Sequence, residues 1–288
     1  MQQSWKVRLM VFIAILGSFL ILGNLLMALG LNFFDIDLEA LTGEDTLSPV
    51  EITKVKWLST LNHLLIFSAS SLVWIFIYYG KSYFKIKPLD ALLIILFLSW
   101  LLFSFPLIAY SAQLNMMVDL PDWASAADND SMQFLMQLLK MDNVWDLLIN
   151  ILIIGLVPAI GEELLFRGIM LKELLNTRWN PHLSIIFVSV VFSLFHFQLS
   201  SFLPKMVIGL ILCYSYYWTR NLMYPIIIHF FNNALQVTLL YTAAVPVEDV
   251  DPQDIPPIPV LSIILSAILC AVIVDAIIKR TKRLNEGT

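Results

Sequence analysis

Long apolar runs separated by short polar connections dominate this chain. Several of them reach the 18 or more residues that an α-helix needs to cross about 30 Å of hydrocarbon. They do not alternate apolar and polar residues at period two, as the strands of a membrane barrel do. The pattern predicts an all-α, polytopic helical membrane protein with about eight transmembrane helices. These predicted spans cover about residues 9–32, 57–79, 89–111, 144–166, 183–200, 203–219, 222–241 and 258–278, and the fourth continues as helix to about residue 176.

Composition and charge define the setting and the orientation of these spans. Hydrophobic residues make up 59% of the 288 residues and charged residues 14%, compared with about 45–50% and 25% in soluble domains. Lys and Arg are enriched in cytoplasmic loops, which predicts that both termini are cytoplasmic. The chain is expected to form one integral membrane domain over 1–288, in the plasma (inner) membrane if the host is bacterial. This orientation places most basic residues inside, namely Lys6, Arg8, Lys81, Lys85, Lys87, Arg167, Lys172, Arg178, Arg220, Lys279, Arg280, Lys282 and Arg283.

The remaining segments are interpreted as connections. Acidic and Pro-rich stretches at about 34–53, 112–142 and 242–257 are expected to be extracytoplasmic loops, the last with no fold of its own. The first apolar run is too long for a cleavable signal peptide and is interpreted as a retained span. Cys213 and Cys270 lie in apolar segments and are expected to be small buried hydrophobic residues rather than a disulfide.

The fourth apolar run carries three charges. Glu162, Glu163 and Arg167 lie within the sequence VPAIGEELLFRGI, and each charge at membrane depth costs roughly 2.5–3.5 kcal/mol. Glu163 and Arg167 are spaced i,i+4, with the acid first, which favours an ion pair. Glu162 points about 100° away around an α-helix, so we expect it to face a cavity. The alternative is that all three residues form a buried polar network that only fixes helix packing.

Two further apolar runs carry imidazoles. Phe192 and His196 are spaced i,i+4 in the fifth span, and His229 and Asn233 repeat this spacing in the seventh. Glu162 and His196 lie equally far from Trp179, in the turn between the fourth and fifth spans, which predicts a similar depth for both. A carboxylate and an imidazole at one level can act as a general-base pair.

Imidazole and carboxamide groups can also stabilise an oxyanion, which is the role considered for His229 and Asn233. The other polar residues of these runs have simpler interpretations. His63 is expected to be a hydrogen-bonded packing residue, and Asn232 to make interhelical hydrogen bonds. His182, at the start of a cytoplasmic helix, is expected either to be solvated or to anchor the helix at the level of the lipid phosphates.

The three patterns together resemble the CAAX-protease and bacteriocin-processing family (CPBP, or Abi) of intramembrane proteases. The matches are E-E-x-x-x-R at Glu162 to Arg167, F-x-x-x-H at Phe192 to His196, and H-x-x-x-N at His229 to Asn233. Each pattern is short, and the resemblance depends on their order, their intervals and their place in apolar helices. It covers a catalytic core at about 144–240.

The resemblance implies an endopeptidase that hydrolyses a peptide bond of a membrane-associated peptide or protein in the lipid bilayer. By similarity, Glu162 and His196 activate a water, His229 and Asn233 form the oxyanion site, and Glu163 and Arg167 support them. No cofactor is expected and no nucleic acid is expected as a partner. Zinc is the alternative cofactor, with Glu162, Glu163, His196 and His229 as candidate ligands.

Two other functions remain open from the residues. One is an ion- or proton-coupled transporter, in which buried Glu, Arg and His side chains form a transport path. It predicts polar groups along a continuous route, whereas here they concentrate in three runs. The other is a non-catalytic bacteriocin-immunity or scaffold protein, against which the complete set of motifs argues.

Overall fold

Helices account for the regular structure of the described residues. A computed structural model of the chain describes residues 5–37, 41, 47–84, 88–242 and 257–286, and this part contains no strand. The all-helical class is therefore confirmed. The helices are α1 (Trp5–Phe33), α2 (Pro49–Tyr78), α3 (Ala91–Met116), α4 (Asp122–Leu138), α5 (Val144–Leu175), α6 (Pro181–Leu194), α7 (Phe202–Thr219), α8 (Met223–Thr242) and α9 (Val260–Glu286).

Six of the described helices are long and apolar enough to cross a membrane, namely α1, α2, α3, α5, α7 and α9. The protein is an integral, multi-pass membrane protein. The predicted fifth and seventh spans correspond to α6, which has 14 residues, and to α8, which carries His229 and two Asn residues. The count of eight and the cytoplasmic termini stay predictions, whereas the predicted continuation of the fourth span is present in α5.

Three boundaries differ from the sequence prediction because polar residues begin or end helices. The expected loop at 34–53 contains the start of α2, where Ser48 and Glu51 form a capping box that satisfies backbone N–H groups. The expected loop at 112–142 contains α4. The expected span at 183–200 is wrong in its second part, since α6 ends at Leu194. Residues 243–256 of the expected last loop lie outside the described residues.

The chain divides into two compact units, each described here by itself. Unit 1 comprises residues 1–86 and 129–184, and unit 2 comprises 87–128 and 185–288. The single membrane domain stays a prediction. In unit 1, α1 packs along α2, and the centre of α2 packs against the middle of α5. A second cluster joins Leu31 and Val55 to Phe134 and Leu138, from the C-terminal half of α4.

Unit 2 is built around α3, which contacts α7, α8 and α9. Pro106 has no N–H to donate, so the helix loses one backbone hydrogen bond at this point. The Ser266 hydroxyl of α9 donates to the Phe103 carbonyl at 2.5 Å, next to this proline. Both cysteines lie in this unit, where Cys213 and Cys270 are buried and form no disulfide, as expected.

Candidate active site

The middle of α5 carries a fully buried ion pair. Nη1 of Arg167 donates to Oε1 of Glu163 at 2.6 Å, and neither side chain has any exposed surface. Removing two charges from water is expensive, and only close mutual contact compensates for it. The ion pair predicted from the i,i+4 spacing is therefore present. The Phe166 ring also lies near the guanidinium, 6.0 Å from its central carbon.

Around this pair, α5 departs from regular α-helix. Every residue from Gly161 to Ile169 is buried, and π-helical turns cover Ile151–Leu156 and Leu164–Leu171. The facing part of α2 has a π-helical turn of its own at Leu64–Ala69. Such turns are rare and are frequent at functional sites, because they redirect side chains from the ordinary helical spacing.

Glu162 contacts His63, which the sequence predicts to be a hydrogen-bonded packing residue. Its Oε1 lies 3.2 Å from Nε2 of His63, a residue of α2 in the same unit. The His63 ring stacks on Phe67, with ring centroids 4.4 Å apart. A signal for this pair exists in the sequence, since each residue lies near the middle of its long apolar helix. An ionisable group at that depth requires a partner.

Gly161 allows this contact. A Cβ at Gly161 would lie 2.8 Å from Oγ of Ser68, 3.0 Å from Cβ of Phe67 and 3.3 Å from Cε1 of His63. Distances of this kind leave no room for a methyl group between α2 and α5. The absence of a side chain at Gly161 therefore sets the close approach of the two helices, and with it the distance from His63 to Glu162.

The C-terminal part of α5 is braced by residues from the start of the chain and the end of α2. The Tyr83 hydroxyl donates to the Gly168 carbonyl at 2.8 Å. Arg8 pairs with Glu173 at 3.1 Å, and the Tyr79 hydroxyl donates to the same carboxylate. Burial raises the pKa of Tyr79, and its hydrogen bond to Glu173 adds to the effect. These contacts fix the register of α5 within unit 1.

His196 lies in the turn after α6, so its predicted place within the fifth span is wrong. The helix ends in a tight turn, in which the His196 N–H bonds to the Ser193 carbonyl and Phe197 has a φ of 52°. Nδ1 of His196 lies 2.8 Å from the Phe192 carbonyl oxygen. A carbonyl only accepts, so Nδ1 donates and carries a proton, and the lone pair of the neutral ring is on Nε2.

Phe192 lies between the two imidazoles of unit 2. Its ring centroid is 4.9 Å from that of His196 and 5.8 Å from that of His229, edge-to-face in both cases. Gly209 of α7 approaches closely behind it, since a Cβ there would lie 3.2 Å from Cδ1 of Phe192 and from Cα of Ser189. Phe192 is thus a platform that sets the positions of both histidine rings.

The turn that follows His196 is held by side chains distant in sequence. The carboxylate of Asp128 accepts the N–H groups of Leu199 and Ser200, at 3.0 and 2.6 Å. The Asn115 amide donates to the Leu199 carbonyl and accepts the N–H of Leu203. Three of these four bonds satisfy backbone N–H groups at helix starts, where no acceptor within the helix is available. No pattern in the sequence indicated a role for either residue.

On α8, His229 is buried, and the next turn carries Asn232 and Asn233. Nδ2 of Asn232 lies 3.2 Å from Oδ1 of Asn233 and donates to it. This bond lies within one helix, unlike the interhelical bond expected for Asn232. It fixes the orientation of the Asn233 amide, with its NH₂ group directed away from Asn232.

The predicted site residues fall into two groups. Glu162, Glu163 and Arg167 lie in unit 1, where His63 joins them. The second group lies in unit 2 and consists of Phe192, His196, His229 and Asn233. The predicted pairing of Glu162 with His196 joins the two groups and stays a prediction.

The four candidate zinc ligands are divided in the same way, two in each unit. Among the described residues of either unit, no three His, Cys, Asp or Glu side chains gather as a metal site. Glu163 is moreover engaged by Arg167, which does not fit a ligand role.

All three motifs lie within one segment of the chain that matches a protein family. Residues 144–235 match the Rce1-like family. The description of that family is type II CAAX prenyl endopeptidase Rce1-like, and the match confirms the resemblance predicted from the motifs. The Rce1-like segment covers about a third of the chain, from the first residue of α5 into α8. No curated protein and no solved structure matches the chain.

Proposed function

We propose that this protein is an intramembrane endopeptidase whose general base is Glu162. The observation that carries the proposal is the state of this carboxyl group within the Rce1-like segment. It is largely buried, with 11% of its side-chain surface exposed, and an imidazole lies beside it. Its neighbour Glu163 is neutralised by Arg167. One acid thus has the environment of a structural ion pair, and the other that of a reactive group.

The proposed chemistry is hydrolysis by an activated water. Glu162 removes a proton from water, and the resulting hydroxide attacks the carbonyl carbon of the scissile peptide bond. The electron pair of the carbonyl moves to oxygen, where His229 and Asn233 donate hydrogen bonds to the oxyanion. When the intermediate collapses, the C–N bond breaks and protonated Glu162 returns the proton to the amine. The products are a carboxylic acid and an amine, and Glu162 is restored.

His196 is proposed as the second partner of the water. Its Nδ1 is engaged by the Phe192 carbonyl, which leaves the lone pair on Nε2. A nitrogen in this state accepts a hydrogen bond from water and directs the other proton of that water towards Glu162. The Phe192 platform holds the His196 ring, and the hydrogen bonds of Asp128 hold the turn that follows it. Both contacts support this role.

The proposed substrate is a membrane-associated peptide or protein. The family description names CAAX prenyl endopeptidases, and we propose a lipid-modified C-terminal peptide as the first substrate to test. No step requires zinc, since Glu163, one of the four candidate ligands, is engaged by Arg167. If zinc binds, Glu162, His196 and His229 would hold it, and the ion would supply Lewis-acid chemistry.

The test uses purified protein in liposomes and a synthetic farnesylated CAAX peptide, with the same peptide lacking the lipid in parallel. We expect cleavage of the farnesylated peptide by the wild type, detected by mass spectrometry, and retention of activity in strong chelator. Glu162→Gln should not cleave. Absence of cleavage by folded wild type, or equal cleavage by Glu162→Gln, would overturn the proposal. Loss with chelator and recovery with zinc would overturn the metal-free mechanism.

A further inference from the structure

A partly buried histidine outside the three motifs contacts the proposed general base. His63 belongs to α2, more than 80 residues before the matched segment. Its Nε2 lies 3.2 Å from Oε1 of Glu162. A carboxylate has only acceptors, so an imidazole at this distance donates its Nε2–H to the carboxylate. With Glu162 in its carboxylate form, His63 is the donor to one of its oxygens.

The other nitrogen of His63 identifies its protonation state. Nδ1 is buried and has no hydrogen-bond partner among the described residues. If this nitrogen carried a proton, an N–H group would be buried without an acceptor, which is costly, and more so for an imidazolium. The neutral ring with its proton on Nε2 avoids this penalty. It is also the tautomer that donates to Glu162.

The surroundings hold the His63 ring in place. Phe67 stacks against it, with an interplanar angle of 20°. Gly161, the residue next to Glu162, lies so close to α2 that its Cβ would be 3.3 Å from Cε1 of His63. The stacked Phe67 ring and the close backbone of Gly161 restrict rotation of the His63 ring away from the carboxylate. The donor is therefore preorganised, and its orientation requires no rearrangement during reaction.

We propose that His63 is a positioning residue for Glu162. Its Nε2–H bond stabilises the carboxylate form of this buried acid and fixes the direction of its oxygens. The inference rests on the proposed function for its effect on catalysis, but the contact itself is testable without a substrate. In this role, α2 helps to orient the general base although it lies outside the matched segment.

The test compares two substitutions at one position. His63→Phe keeps the stacking on Phe67 and removes the donor, whereas His63→Gln retains an N–H donor. With the farnesylated CAAX peptide, we expect His63→Phe to lower kcat roughly 10- to 100-fold, the effect of one hydrogen bond to a charged group. KM and the melting temperature should stay near their wild-type values, and His63→Gln should recover part of the loss. The control is His182→Phe, at an exposed position of α6, which should leave kcat unchanged.

A second measurement needs no substrate. Dicyclohexylcarbodiimide reacts with protonated carboxyl groups in apolar surroundings, and peptide mass spectrometry locates the adduct. We expect more adduct at Glu162 in His63→Phe than in the wild type, and a near wild-type amount in His63→Gln. Loss of the adduct in Glu162→Gln identifies Glu162 as the labelled position. The two readouts separate the failure of this inference from the failure of the proposed function.

Wild-type labelling and wild-type kcat in His63→Phe would overturn the inference, and so would raised labelling with unchanged kcat. If the wild type cleaves nothing, the proposed function fails. The labelling experiment then decides by itself whether His63 stabilises the Glu162 carboxylate.

Discussion

The acidic part of unit 1 and the histidine part of unit 2 are held by different forces. Glu163 and Arg167 lie in the dry middle of a long helix and depend on each other, at 2.6 Å. His196, in contrast, lies just past the end of a short helix, in a turn held by hydrogen bonds to backbone groups. A buried charge that loses its partner is strongly destabilising, whereas a displaced neutral ring is not.

This difference separates two kinds of consequence. Substitutions of the ion pair in unit 1 should reduce stability and activity together. Substitutions around the imidazoles in unit 2 should reduce activity and leave the fold intact. Glu162 is the exception in unit 1, because its described partner is an imidazole that remains stable as a neutral ring.

The largest effect is expected for Glu162→Gln. Glutamine keeps the shape and one acceptor but cannot take a proton from water, so cleavage should fall by about 10²–10⁴, the usual contribution of a general base. Yield and melting temperature should stay near wild type. Glu163→Gln is the matched variant, since it leaves Arg167 buried without its counter-ion and should lower both. An active Glu162→Gln protein would rule out the glutamate mechanism.

The next effect concerns stability. Arg167→Ala leaves the Glu163 carboxylate buried and uncompensated, which should destabilise the protein by about 3–5 kcal/mol. Thermal melting in detergent and the yield of folded protein measure this loss, and activity should fall with them. Arg178→Ala, at an exposed position of the turn after α5, is the control and should melt like the wild type. If Arg167→Ala melts normally, the proposed structural role of the ion pair is wrong.

The oxyanion role of Asn233 predicts a purely catalytic loss. Asn233→Ala removes one donor to the oxyanion and should lower kcat by about 10²–10³, with an unchanged melting temperature. Gln236→Ala changes an exposed side chain of the same helix and should have no effect on kcat. Equal kcat values for the two variants would exclude Asn233 from the oxyanion site.

Much of the fold was predictable, because membrane spans are determined by the length of apolar runs. The long helices α1, α3, α5 and α9 follow the predicted runs within several residues at each end. The ion pair between Glu163 and Arg167 was also predictable, because an i,i+4 spacing operates within one helix. Such local rules need no knowledge of distant contacts.

The features that were missed depend on tertiary contacts. The helix α4 has an acidic sequence, and its buried positions pack against residues distant in the chain. The turn that follows α6 is held by Asp128, which lies far from it in sequence. The contact of His63 with Glu162 likewise joins two helices. The pattern within a single apolar run does not specify which distant polar group will pair with a polar residue of that run.

The smallest effect is expected at Asp128, and it tests how the turn after His196 is held. Its two carboxylate oxygens accept the N–H groups of Leu199 and Ser200, and hydrogen bonds to a charged group contribute about 1.5–3 kcal/mol each. Asp128→Asn replaces one acceptor by an NH₂ group and removes the charge. The turn should then open more often, while α6 and the Phe192 platform remain. We expect amide hydrogen exchange at Leu199 and Ser200 to rise and kcat to fall by about tenfold, with little change in melting temperature.

Asp130→Asn, at an exposed position of the same helix, should change neither quantity. Faster exchange with an unchanged kcat would show that the order of this turn is not needed for the position of His196, and the contrast between the two units would then rest on the Phe192 platform alone.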